Sequence, residues 1–99
     1  MDAETKAKRD LLRDEMKHAR KNFEMAFYGL EETVVQGDPT LVRLHKQAVV
    51  QAATLCFQLT GKLVGTVGNV HDRRRWAWWY NIVQMLGGDA LSATLEVTP

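Results

Sequence analysis

The chain has 99 residues, 45% of them hydrophobic and 25% charged, proportions that suit one folded domain and exclude a disordered segment. A formal net charge of +1 excludes a global field that would draw the chain to nucleic acid or membrane. Cys56 is the only cysteine, so an intramolecular disulfide is excluded; with the charged opening MDAETKAKRD, unlike a signal peptide, this points to a reducing, cytoplasmic setting.

In chain order, the first predicted element is a helix over residues 2–36. Leu12, Met16, Ala19, Phe23, Ala26, Leu30 and Thr33 follow spacings of four and three, a heptad seam about 100° wide that Phe27 and Val34 broaden. Glu4 with Lys8, Arg20 with Glu24, and Asp14 with His18 stand four apart. Such pairs are worth only about 0.2–0.5 kcal/mol each, so the seam must hold the helix. Gln36-Gly37-Asp38-Pro39 then reads as a left-handed helix end, a cap and a first-turn proline. A link this short makes the first two helices antiparallel neighbours.

The second helix is predicted over 40–67, and its apolar arc is about 220° wide, twice that of a surface helix. Leu41, Leu44, Ala48, Ala52, Leu55, Leu59 and Leu63 mark one side; Val42, Val49, Ala53, Cys56, Val64 and Val67 mark the next. Arg43, Gln47, Gln51, Thr54 and Gln58 form a thin polar strip, and with Lys62 the run reads as too polar for a membrane span. Gly61 and Gly65 either end this helix near Thr60 or let another backbone come close. Gly68-Asn69 is the expected stop, and Asn69 with Asp72 resembles a capping box for a third helix over 70–86. That helix, VHDRRRWAWWYNIVQML, again has an arc of about 220°. Gly87-Gly88 is its expected end, with a tail over 89–99 in which Leu91 and Leu95 suit a helical turn and Leu95 and Val97 an extended arm.

The expected architecture is therefore all-α: a long antiparallel helical hairpin plus a third, Trp-rich helix in a single domain over 1–99, completed by oligomerisation. Three helices share one core by covering one face each, and two of these offer twice that. Surplus apolar surface marks an interface, most simply a homodimer. The expected function is a non-enzymatic module (accessory, adaptor or inhibitor) that self-associates and binds a protein partner. Trp76, Trp78, Trp79, Tyr80, Ile82 and Met85 are the expected contacts. The alternative is binding of nucleotide or nucleic-acid phosphate by Arg73, Arg74 and Arg75 beside the tryptophans. Against it, the tryptophans sit at core spacing, and the arginines can pair with acids of the first helix such as Asp10, Asp14, Glu15 and Glu24.

No cofactor, metal or catalytic residue is expected. Gly61-Lys62 lacks the order of a phosphate loop, and His18, His45 and His71 form no H-x-x-x-H pair. Arg13 and His18 have the R-x4-H spacing of helical RNases of the HEPN group, on a charged helix where chance supplies it. Phe23-Glu24-x-Ala26-x-x-x-Leu30-Glu31-Glu32, Val49-Val50-Gln51 and Phe57-Gln58-Leu59-x-x-Lys62-Leu63 together resemble the first two helices of the small partners of minimal nucleotidyltransferases. In that family the bundle dimerises and serves a nucleotidyltransferase subunit. The likeness covers under half of the chain. Gly61 stands for the family's aromatic, Thr54 and Gln58 stand for its glutamates, and its later polar motif is missing, so the chain is not assigned to it.

Overall fold

The computed structural model describes residues 2–66 and 69–97, with side chains through 86. The fold is all-α, with α1 over Ala3–Gln36, α2 over Pro39–Thr66 and α3 over Val70–Val97. Each helix start is written locally. The Thr5 N–H donates to Asp2 Oδ1 at 2.7 Å, and the Thr40 N–H to Asp38 Oδ1 at 3.0 Å. The Asp72 N–H donates to Asn69 Oδ1 at 2.8 Å. Each cap satisfies a first-turn N–H that has no partner within its own helix. Gly37 ends α1 at φ 77° and donates its N–H to the Thr33 carbonyl at 3.0 Å. That left-handed geometry needs glycine and turns the chain straight into α2.

α2 is the central element. Both α1 and α3 pack on it, while among the described residues no Cα atom of α1 comes within 8 Å of one in α3. The core joins Met16 and Ala19 of α1, Ala53, Cys56, Leu59 and Leu63 of α2, and Trp79 and Val83 of α3. The α1 seam therefore faces inward as its heptad spacing requires, with Leu12 and Phe23 packed against the core. On α2 the Val49, Ala53, Cys56 side is buried, whereas Leu41, Leu44 and Leu55 of the other side stay exposed. Thr54, expected on the polar strip, is buried, because its hydroxyl donates to the Val50 carbonyl at 2.8 Å and needs no water. By length and composition alone α2 is apolar enough to cross a membrane, despite its glutamines and Lys62. Its place between two other helices accounts for the same apolarity.

Three local expectations change. Gly61 and Gly65 lie inside α2, which continues to Thr66. A methyl group on Gly61 would sit 3.2 Å from the Trp76 indole nitrogen, so this glycine admits a ring and not a backbone; one on Gly65 would meet nothing within 4 Å. Gly65→Ala is therefore expected to raise stability by about 0.5–1 kcal/mol, read as a higher urea midpoint. Gly61→Ala should gain less, because the indole must move. Of the predicted stop at Gly68-Asn69, Gly68 falls outside the described residues, while Asn69 is non-helical and caps α3. Gly87 and Gly88 lie within α3 and do not end it, so the backbone over 89–97 is helical and not an extended arm. Glycine weakens a helix without removing its hydrogen bonds, and no proline intervenes before Val97.

Candidate functional site

The aromatic run of α3 does not form one surface. At 100° per residue, Trp76 and Trp78 stand about 200° apart, and Trp79 falls between them on the core side. Trp79 is 3% exposed and meets the Phe23 ring edge-on at 5.0 Å. Ile82 packs against the same core. Trp79 and Ile82 thus belong to the interior and not to an outer contact surface. Trp76, Trp78, Tyr80 and Met85 remain exposed.

On one flank of α3, Trp76 stacks on Phe57 of α2 at 5.9 Å with the rings 14° from parallel. Tyr80 lies against the same phenyl ring at 5.8 Å. The three rings border a shallow depression of about 350 Å³ that also touches Ala77 and Asn81. Trp76 is 41% and Tyr80 43% exposed, a large share for rings already packed on a neighbour.

On the other flank, the gap between α1 and α3 is an open cleft of about 480 Å³. Arg13, Lys17 and Arg20 reach it from α1 and Arg75 from α3; Met16, Leu63 and Trp79 form its buried floor. Trp78 lines it too, half-exposed, with its ring perpendicular to that of Trp79 at 4.8 Å. Arg73 and Arg74 are exposed and outside this lining, so the arginine triplet does not act as a unit. The acids of α1 do not take up these arginines. Instead the ion pair runs the other way: Arg13 Nη2 of α1 donates to Asp72 Oδ2 of α3 at 3.2 Å. Asp72 is fully buried, and its Oδ1 has no hydrogen-bond partner among the described residues. The sequence reading missed this pair; a single acid in a locally basic half was the available signal.

The remaining polar candidates disperse. His18 lies 3.8 Å from Asp14 with its side chain 72% exposed, while Arg13 turns to Asp72, so the R-x4-H pair does not converge. The pairs Glu4–Lys8 and Arg20–Glu24 are absent from the ion pairs of the described residues. Cys56 is fully buried. Burial pushes its thiol up to about 12, against the opposing charge of Arg20, so it stays protonated and unreactive at neutral pH. Among the described residues no three His, Cys, Asp or Glu side chains gather as metal ligands would.

No family model, curated protein or solved structure matches the chain. The likeness to nucleotidyltransferase partners accordingly stays a likeness of pattern.

Proposed function

We propose that this chain is a non-enzymatic helical interaction module that self-associates and also serves a protein partner. The observation that carries the reading is the half-exposed aromatic patch of Phe57, Trp76 and Tyr80, with rings ordered by packing yet open to solvent. Ordered aromatic side chains lose little entropy on association and bury large areas, which is why they dominate interface energetics. The surface as a whole agrees. It measures 6880 Å², against about 5,700 Å² for a compact monomer of this mass. Part of the difference is shape, since the molecule extends 52 × 25 × 21 Å. Apolar side chains are exposed elsewhere too: Leu44 and Leu55 of α2 lie about 140° and about 160° around the helix from Phe57.

A second copy is the expected first occupant of the aromatic patch, because closed two-fold dimers are the commonest soluble assemblies. At about 50 µM the wild-type chain is expected to sediment as a dimer, and a Trp76→Glu, Tyr80→Glu double variant as a folded monomer. A wild-type chain that stays monomeric at that concentration rejects self-association. The partner function then stands or falls on whether the same double variant loses a host protein that co-purifies with the wild type.

A further inference from the structure

We propose that the cleft between α1 and α3 is a binding site for a nucleoside phosphate, with the phosphate held by Lys17, Arg20, Arg75 and Arg13 and the base placed against Trp78. This is independent of self-association, since the aromatic patch uses Trp76 and Tyr80 on the opposite flank of α3.

The argument begins with charge. Four cations line one cleft, and Arg13 and Lys17 stand four apart on α1, where like charges repel. Only Arg13 has an acidic partner; Lys17, Arg20 and Arg75 have no hydrogen bond or ion pair among the described residues. A concave, low-dielectric wall concentrates the field of such a group, and an anion relieves the repulsion. Asp72 offsets one of the four charges: its carboxylate is buried beneath Arg13 and fixes where that guanidinium stands, which leaves Lys17, Arg20 and Arg75 without a counter-ion among the described residues. The cations come from two helices whose backbones do not touch, so they surround a volume and do not merely decorate one face.

The ligand class follows from the rest of the lining. Guanidinium groups fork onto phosphate oxygens, and the lysine adds a point charge. Trp78 is 53% exposed, and its ring is braced perpendicular to Trp79, so it offers a π surface that does not have to be ordered on binding. A volume of about 480 Å³ lies within the range of small-ligand sites and exceeds what bare phosphate needs. An aromatic base joined to a phosphate uses both halves of the cleft. A free nucleotide and a nucleotide within a single strand share that chemistry.

The test is titration of the full chain, followed by tryptophan fluorescence and calorimetry, with adenosine monophosphate, adenosine, inorganic phosphate and a short single-stranded oligodeoxyadenylate. Adenosine monophosphate or the oligonucleotide should bind with a Kd below about 1 mM, and adenosine and phosphate each at least about tenfold more weakly. Comparable affinity for both nucleotide probes indicates a mononucleotide pocket, and much tighter oligonucleotide binding indicates a strand as the source. Lys17→Glu with Arg20→Glu should weaken binding by roughly a hundredfold, and Trp78→Ala by about tenfold. Raising salt from about 50 mM to about 200 mM should weaken oligonucleotide binding by roughly tenfold. Trp78→Ala, at an exposed position, decides the matter if the charge-reversed chain does not fold. No binding of either nucleotide probe at about 1 mM overturns the proposal, as does phosphate or adenosine binding as tightly as the nucleotide. So does unchanged affinity in either variant.

Discussion

Replacing Arg13 with alanine is expected to cost about 3 kcal/mol of stability, whereas replacing its partner Asp72 should cost only about 1 kcal/mol. The two side chains share one ion pair at 3.2 Å, but they are not equally sheltered: Arg13 is 39% exposed and Asp72 fully buried. Without Asp72 the guanidinium turns to water. The losses are then one charge-assisted hydrogen bond and a favourable acid in the first turn of α3. Without Arg13 the carboxylate is left with no side-chain donor, one of its oxygens being unpartnered already. A buried charge stripped of its counter-ion is among the few single changes that reach several kcal/mol. The double variant Arg13→Ala, Asp72→Ala should therefore be more stable than Arg13→Ala alone, the signature of coupling in a double-mutant cycle. Urea unfolding of the four chains checks this. Equal, small losses for the two single changes would mean that water reaches Asp72 and that the strut is an ordinary surface pair.

That asymmetry could not be read from the sequence, and the reason is distance. Arg13 and Asp72 lie 59 positions apart and belong to helices that approach only through long side chains. What lay within a helical turn or two was legible: the α1 seam, the Asp38 and Asn69 caps and the left-handed Gly37. All of these depend on spacings of one to four residues, where backbone geometry alone decides which atoms meet. The width of the apolar arcs correctly announced more apolar surface than one bundle covers. It did not say which part would be covered. On α2 the leucine side lost to the valine and cysteine side at Leu41, Leu44 and Leu55, although leucine is the larger apolar group. On α3 three tryptophans within four positions are all expected as contacts, yet these positions span about 300° of the helix and so must serve different surroundings. The cleft was hidden for the same reason as the strut. Lys17 and Arg20 lie on the charged first helix, and only the fold brings Arg75 and Trp78 opposite them.

The largest single loss is expected at Trp79. Trp79→Ala should destabilise the chain by about 3–5 kcal/mol, the range for truncating a buried aromatic residue. Trp79 is the contact through which α3 reaches both other helices. Its ring packs edge-on against Phe23 of α1, and its side chain belongs to the cluster containing Leu59 and Leu63 of α2. Because α1 and α3 have no backbone approach, a cavity here is not closed by small shifts, and the cost should fall in the upper part of that range. Trp79→Phe, which keeps a ring in the same layer, should lose much less. The neighbouring indoles supply the control. Trp76 and Trp78 are 41% and 53% exposed, so alanine at either should cost less than at Trp79, about 2 kcal/mol in the monomer. Denaturant unfolding at two protein concentrations separates the contributions. A cost at Trp79 that does not change with concentration belongs to the core, while a cost at Trp76 that grows with concentration reports contacts with a second copy. If all three alanine variants lose the same amount at every concentration, Trp79 is not the joint between the helices, and the division of the aromatic run between interior and surface is wrong.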